Sequence, residues 1–288
     1  MIKKITALIV LIGTFVSLQG CYDDYKEDYT HTTTYFARQF PLRTLVDSDG
    51  QDMTFEIGAV LGGKYSNNNN EQVDFIVDDA LLSAYPSLTK LPDSYYSISS
   101  SSMTIPSGEF LGKASVTLNK ELFMNDPLAV GNNYALPLQI VDATTDFILE
   151  DKHYSIIVVR YYNQYHGWYY VKGEDTNTTD NTSVIYSEND LVNNEDMLLE
   201  TTSKNELSVP YVGNPDVSGR GMTFSINAET VSISGGAGIT NLSGTGTYNP
   251  NTRNFTIEYN YTDGDGDAHS VKETLIYRNT ELILEEWQ

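Results

Sequence analysis

Cysteine is almost absent from this sequence: the chain of 288 residues has one, Cys21. A single thiol cannot form a disulfide within the chain, and it cannot supply the paired cysteines of a structural zinc site. If Cys21 is used for the lipid attachment described below, no thiol remains for nucleophilic or redox chemistry. Cysteine chemistry is therefore excluded from the functions expected of the folded part of the chain.

Positive charge is also scarce. The chain has 17 Lys and Arg against 39 Asp and Glu, which gives a net charge of −22 and a pI of about 4.3. Nucleic acids and anionic lipid surfaces bind positive protein faces, so we expect no nucleic-acid partner. The acidity favours solubility on a crowded surface and does not by itself identify a ligand.

Long apolar runs are absent after the N-terminus. The mean hydropathy is −0.32, and no later run is longer than a strand, so no transmembrane helix is expected. At the N-terminus, Lys3 and Lys4 precede an apolar stretch from Ile5 to Leu18. Its length of about fourteen residues is typical of the core of a signal peptide and is too short to span a membrane.

The only cysteine closes this N-terminal segment. Residues 17–21, Ser-Leu-Gln-Gly-Cys, resemble a bacterial lipoprotein signal, in which the cysteine is acylated and the preceding peptide is removed. We therefore predict a signal peptide over residues 1–20 and attachment to membrane lipid through Cys21. The alternative is a cysteine that merely lies near the end of an ordinary signal peptide.

An acidic segment follows, Tyr22 to Asp28, with the sequence Tyr-Asp-Asp-Tyr-Lys-Glu-Asp. It resembles the surface-export signal of Bacteroidota lipoproteins, which implies a lipid-anchored protein of the outer membrane that is exposed at the cell surface. The alternative is a flexible spacer between lipid and fold. In either case residues 21–28 are expected to form a tether.

The remaining sequence has the pattern of an all-β protein. It is rich in Tyr, Phe, Thr, Val and Gly and has no sustained apolar period of 3.6 residues. One short helix is predicted over Asp79 to Tyr85, capped by Asp78 or Asp79 and ended by Pro86. Alternating apolar residues predict strands in the first half at 33–38, 53–60, 72–77, 114–118, 134–141 and 154–161.

The first half, residues 29–162, is expected to form a β-sandwich of about seven short strands. Its motifs occur in the order Asp79 to Tyr85 (DALLSAY), Leu91-Pro92, Met103 to Glu109 (MTIPSGE) and Tyr134 to Ile140 (YALPLQI). This order resembles DUF1735, the BT_3987-like N-terminal domain of Bacteroidota surface lipoproteins. The resemblance implies an immunoglobulin-like sandwich.

The second half, residues 163–288, has consecutive hairpins of similar length. Strands are predicted at 167–173, 197–202, 205–212, 222–227, 230–234, 242–248, 254–261, 269–278 and 281–287. This pattern predicts an up-and-down β-barrel of about eight strands. Gly167-Trp168-Tyr169, residues 244–248 and residues 273–278 resemble DUF4361, a lipocalin-like partner that often follows DUF1735.

The motifs for metal binding and catalysis are incomplete. Asp263 to Asp267 alternates Asp and Gly, but an EF-hand loop would need Gly at Ala268 and Glu at Thr274. We predict a hairpin loop there, with a weak calcium site as the alternative. The four histidines have no zinc-site spacing and no Gly-x-Ser-x-Gly elbow is present, so we expect no metal, no cofactor and no catalytic residue.

Aromatic residues supply the remaining candidate site. Rings stack on the apolar faces of sugars, and the densest aromatic patch lies where the two halves meet. In this patch Trp168, together with Trp287 near the C-terminus, could instead belong to the barrel core, and the patch could be an interface between the domains. The ligand contacts predicted within the patch are Tyr165, His166, Trp168 and Tyr170.

The resemblance to surface lipoproteins implies a function in polysaccharide utilisation, beside a TonB-dependent importer. The leading hypothesis is a non-catalytic protein that binds glycans at the cell surface. One alternative is a structural or adhesion component that docks to other outer-membrane proteins through its edge strands. Another is a lipocalin-like binder of a small apolar ligand, which would require a wide, dry cavity in the barrel.

Overall fold

The computed structural model describes residues 30–48, 50–282 and 286–287. The predicted signal peptide (1–20), Cys21 and the predicted tether (21–28) lie outside the described residues. Within the described ranges, no helix is both long enough and apolar enough to cross a membrane.

The first half of the chain forms two facing sheets that share one core. Its strands are β1 Thr33–Phe36, β2 Leu42–Val46, β3 Thr54–Gly62, β4 Glu71–Val77, β5 Thr89–Lys90, β6 Tyr96–Ile98, β7 Ser102–Ile105, β8 Leu111–Leu118, β9 Tyr134–Ala143, β10 Phe147–Ile148 and β11 Tyr154–Tyr162. One sheet has the order β10-β1-β3-β8-β6, and the other has the order β2-β11-β9-β4-β7, with β5 paired to β9. The predicted sandwich is confirmed.

The strands that alternation predicted in this half are confirmed to within three residues at each end. In β3, for example, Phe55, Ile57 and Leu61 point into the core while the intervening side chains face outward. The strands that were not predicted, β2, β5, β6, β7 and β10, have two to five residues. Runs this short show too few alternations to be recognised.

Strands β9 and β11 are buried on both faces. Their inner side chains join the sandwich core, and Ala135, Ile156 and Val158 on the other face pack under a second apolar cluster. That cluster includes Leu81 and Tyr85 from the segment that was predicted to be helical. The sequences of both strands are therefore nearly continuous apolar runs, as expected for strands that are covered on both faces.

The helical segments of the described residues are short. The predicted helix is a 3-10 helix, Asp79–Ala84, and the Asp78 carboxylate caps it by accepting from Ala80 N at 3.0 Å. The other helical segments are α1 Lys120–Met124 and the 3-10 turns Asp93–Tyr95, Pro127–Val130, Glu150–Lys152 and Leu191–Asn193.

The second half forms one continuous sheet. Its strands are β12 Gly167–Asn177, β13 Thr182–Tyr186, β14 Asp196–Ser203, β15 Glu206–Val209, β16 Gly221–Asn227, β17 Thr230–Ala237, β18 Thr240–Asn249, β19 Asn254–Thr262 and β20 Ala268–Asn279. From β14 to β20 each strand pairs with the next one in the chain, and β12 pairs with β13, β14 and β20. Of the described strands, eight therefore close into a barrel, as predicted. The ninth, β13, pairs only with residues 173–177 of β12.

The barrel interior is occupied by large side chains. Its buried members include Tyr169, Phe224, Phe255 and Tyr259, each at most 2% exposed. Rings from neighbouring strands pack at centroid distances such as 5.5 Å for Tyr169 and Phe255. This packing contradicts the alternative hypothesis of a wide, dry cavity for a small apolar ligand, because aromatic rings fill that volume.

The C-terminal segment returns to the sandwich. Glu286 forms an isolated bridge with Pro41, and the Trp287 indole N–H donates to the Ile156 carbonyl at 2.7 Å. Trp287 also packs edge-on against Phe40 and Tyr85. The predictions of Trp287 in the barrel core and of a final strand over residues 281–287 are therefore wrong for the described residues.

Candidate functional site

The structure separates the four predicted ligand contacts into two pairs. Tyr165 and His166 lie in the turn that joins the sandwich to the barrel, and both are buried. Trp168 and Tyr170 lie on β12, half-buried, on the outer face of the barrel. Tyr169 between them points inward, because successive side chains of a strand point to opposite faces.

Tyr165 packs inside the barrel mouth and is 4% exposed. Its ring meets Tyr248 at 4.8 Å between centroids, edge to face. The ring therefore belongs to the packed interior of the barrel, and its role as a ligand contact stays a prediction.

His166 is likewise buried, and it serves the junction between the two halves. Its ring stacks on Tyr162 at 3.6 Å, and its Nδ1 accepts a hydrogen bond from the backbone N–H of Thr201 at 3.1 Å. Burial, with the charges of Arg160 and Arg253 nearby, lowers the pKa of His166 to about 4. The imidazole is therefore neutral at pH 7, which suits an accepting Nδ1. The role of His166 as a ligand contact also stays a prediction.

Trp168 and Tyr170 lie on the outward side of β12 and are half-buried. Tyr170 pairs with Ile276 of β20 on one side and with Asp196 of β14 on the other. The Arg278 guanidinium lies 5.8 Å from the Tyr170 ring centroid and forms an ion pair with Asp196. Two rings thus share one outer face with a cation and a carboxylate.

A groove continues from Tyr170 across the outer face of the barrel. It has a volume of about 520 Å³, within the usual range for ligand sites. Its outward side chains are polar except for Ile185 and Ile276. Ile185, on β13, is 70% exposed. We call it the outer groove, and the outward side chains that define it are Lys172, Glu174, Ile185, Thr256, Thr274 and Ile276.

One end of the barrel holds a polar network that sequence analysis missed. Asp175 accepts a hydrogen bond from the Tyr261 hydroxyl at 2.7 Å, and its other carboxylate oxygen lies 2.7 Å from Nδ1 of His269. Arg220 donates to the Tyr261 hydroxyl at 2.8 Å. The Tyr261 and His269 rings stack at 4.5 Å, so the network holds the barrel end closed.

The loop between β15 and β16 covers this network. Gly213 has a φ of +68°, and a Cβ there would lie 2.2 Å from the Asp175 carboxylate. Gly213 N donates to the Tyr259 hydroxyl at 2.7 Å. A glycine is required because both the backbone conformation and the available space exclude a side chain.

Glu273 lies inside the barrel and is 4% exposed. Tyr186 donates to its Oε1 at 2.6 Å, and Tyr259 also hydrogen-bonds to it. Burial raises the pKa of Glu273 to about 7, although both tyrosines oppose that rise and the charge of Asp175 adds to it. This carboxyl therefore titrates near neutral pH.

The signal for both acids was present in the sequence. Asp175 and Glu273 occupy inward positions of the alternating strands β12 and β20. A charged residue within an apolar alternation must find partners when it is buried. The sequence could not show which tyrosines and histidine would supply them.

The Asp263–Asp267 segment is the hairpin loop that was predicted between two strands. The Asp263 carboxylate accepts from the backbone N–H groups of Asp265 and Asp267, each at 3.0 Å. Burial by itself would raise the pKa of Asp263, but these hydrogen bonds and the charges of His269 and Arg220 outweigh burial and lower the pKa. In the part of the chain that the structure describes, no group of three or more His, Cys, Asp or Glu is arranged to hold a metal ion.

Comparisons with known proteins agree with this architecture. A family model described as an N-terminal domain matches residues 25–146. A Bacteroides ovatus protein of unknown function, solved by crystallography, superposes with a TM-score of 0.74 at 23% identity, covering 90% of this chain and 98% of its own. At this identity the likeness shows a shared fold alone.

Two further crystal structures from Bacteroides ovatus are more distant. A multidomain protein that includes DUF1735 has a TM-score of 0.43 at 13% identity, covering 86% of this chain and 93% of its own. A protein described as a candidate carbohydrate-binding protein has a TM-score of 0.34 at 14% identity, and the match covers 86% of this chain and 82% of that protein. No curated protein matches the chain.

Proposed function

We propose that this protein is a non-catalytic carbohydrate-binding protein and that the outer face of its barrel is the binding surface. The observation that supports this proposal is the pair of outward rings, Trp168 and Tyr170, beside the outer groove. Residues two apart on a strand lie about 7 Å from each other, so two rings can contact neighbouring sugar units.

The polar neighbours of the rings match the needs of a sugar. The ion pair of Arg278 and Asp196 offers donors and acceptors beside Tyr170. In the outer groove, Thr256 and Thr274 add hydroxyl groups that can both donate and accept. Stacked rings would contact the apolar sugar face while these groups bind the sugar hydroxyls.

Alanine substitution of the two rings tests this proposal. The parent protein is titrated calorimetrically with a panel of plant, host and microbial polysaccharides. Each single variant, Trp168→Ala and Tyr170→Ala, should bind the preferred glycan about tenfold more weakly than the parent. The double variant should not bind the glycan. Phe147→Ala is the matched control, because Phe147 is an exposed ring on the sandwich.

Two outcomes would count against the proposal. The first is that no polysaccharide in the panel binds the parent protein. The second is that a glycan binds equally well to the parent and to the double variant, which would place the site elsewhere.

The proposal places the protein at the cell surface, attached to outer-membrane lipid through Cys21 and working beside a TonB-dependent importer. Replacing Cys21 with alanine should then move the protein from the membrane fraction to the soluble fraction and abolish incorporation of labelled fatty acid. Protease added to intact cells should degrade the parent protein. Retention of the C21A variant in the membrane would refute lipid attachment at this residue.

A further inference from the structure

A second concave site lies in the sandwich, on the side where the chain crosses from one sheet to the other. This cleft has a volume of about 330 Å³, which is enough for one small ring-sized molecule. Its apolar walls are formed by Phe36, Ile57 and Leu111. It is separate from the outer groove, since it lies in the other half of the chain.

Three basic side chains line this cleft, in a protein with a net charge of −22. Lys113 forms an ion pair with Glu56 at 2.6 Å. Arg38 and Arg43 differ from it, because neither forms an ion pair with any described carboxylate. The hydrogen bond from the Arg43 guanidinium is a long one, 3.4 Å to the Leu42 carbonyl.

Arg38 and Arg43 line the same cleft, and their positive charges repel each other. Burial, and then repulsion from Arg38, lowers the pKa of Arg43. Each guanidinium carries five N–H donors in a planar fork, and a carboxylate accepts two of them at once. An anion bound between the two side chains would use these donors and offset their mutual repulsion.

The arginines contrast with most other cations of the molecule. In the described ranges, carboxylates lie within ion-pair distance of Lys90, Lys120, Lys204, Arg220, Lys272 and Arg278. Arg160 and Arg253 instead donate to uncharged oxygens of the protein. Two arginines that share one partly apolar cleft, and for which the described residues supply few acceptors, form an arrangement suited to an external anion.

We propose that this cleft binds a cyclic organic carboxylate, with Arg38 and Arg43 holding the carboxylate and the exposed side chain of Leu111 contacting the ring. Acidic sugars and aromatic acids share this chemistry. The Glu56–Lys113 pair lies at the rim, where it can bind hydroxyl groups of a sugar acid. The site is independent of the carbohydrate-binding surface proposed on the barrel.

Calorimetry on the folded protein tests this site with four probes: glucuronate, benzoate, glucose and inorganic sulfate. We expect a carboxylate probe to bind with a Kd of about 10 mM or lower, and we expect glucose not to bind. Preference for glucuronate would indicate a sugar acid, and preference for benzoate an aromatic acid. Sulfate binding as tight as that of the carboxylates would contradict the need for a ring.

Variants of the two arginines locate the site. Arg38→Met and Arg43→Met should each weaken binding about tenfold, because each removes charge-assisted hydrogen bonds. Arg43→Lys keeps the charge but loses the fork, so its affinity should fall between parent and Arg43→Met. Thermal melting of each variant checks that it is folded.

Arg160→Met is the matched control, since this arginine lies outside the cleft, and it should leave binding unchanged. Trp168→Ala should also leave it unchanged, which separates this site from the barrel surface. The proposal is overturned if neither carboxylate binds the parent protein, or if the two methionine variants bind as tightly as the parent.

Discussion

At the scale of single residues, Glu273 is the group whose charge state should control stability near neutral pH. It is enclosed by Tyr186 and Tyr259, and its Oε2 has no hydrogen-bond partner among the described atoms. A buried carboxylate with an unsatisfied oxygen is costly, whereas the protonated acid is tolerated. The protonated form should therefore be favoured in the folded protein.

This predicts that stability falls as pH rises from about 4.5 through 7. The folded-state pKa of Glu273 is raised to about 7, so the folded protein binds the proton more tightly than the unfolded chain. The associated loss is about 3 kcal/mol of unfolding free energy. Glu273→Gln should remove this loss, so that urea unfolding at pH 8 shows the variant to be more stable than the parent.

The matched control is Glu200→Gln, because Glu200 is an exposed glutamate on a barrel strand. Its unfolding curves should follow the parent at every pH. If Glu273→Gln and the parent lose stability in parallel between pH 5 and 8, Glu273 is not the responsible group.

At the scale of the element, β18 shows how the barrel accommodates its large rings. Its inward positions are Leu242, Gly244, Gly246 and Tyr248. A Cβ on Gly244 would lie 2.2 Å from Cβ of Tyr259, and a Cβ on Gly246 would lie 2.4 Å from Ile257. Two successive inward positions of β18 are therefore glycine, because side chains and backbone of the neighbouring strand β19 fill the space.

Gly244→Ala is expected to destabilise the protein by about 1–3 kcal/mol, as overpacking of a filled core does. The backbone of Glu258 also lies 2.5 Å from the added methyl, so β19 itself would have to move. Gly264→Ala is the matched control, because a Cβ there meets nothing within 4 Å. Equal melting temperatures for the two variants would contradict this view of the interior.

At the scale of the whole molecule, the two halves are joined at more than one place. In the linker, Asn163 donates to the carbonyls of Ser203 and Glu206 at 2.8 and 3.0 Å. After the barrel, Glu286 bridges to Pro41 of the sandwich, and Trp287 packs on the sandwich. The chain therefore leaves the sandwich once and returns to it at its C-terminus.

Replacing Trp287 with alanine should destabilise the sandwich although the residue follows the barrel in sequence. We expect a loss of about 2 kcal/mol, less than for a fully buried tryptophan, because Trp287 is half-buried. Hydrogen exchange should accelerate in β2 and β11, whose edge it covers. Trp168→Phe, a change on the barrel exterior, should leave exchange in those strands unchanged, and faster exchange in the barrel alone would contradict the assignment.

Most of the strands were predictable, because inward and outward side chains alternate and turn residues separate them. The barrel was predictable from its succession of equal hairpins. The roles of individual aromatic residues were not. Tyr165 and His166 lie only three and two positions before the outward-facing Trp168, yet both are buried after the turn at Asn163.

What the sequence by itself determined was local: an all-β chain, the position of most strands, a short capped helix and an excess of negative charge. Tertiary structure alone decided which side chains meet. Closure of β12 on β20 encloses Glu273, Trp287 packs on the sandwich rather than in the barrel, and the crossing between sheets places Arg38 and Arg43 in one cleft. The physical reason is that alternation sets which face a residue takes, whereas packing between distant strands sets which groups share that face.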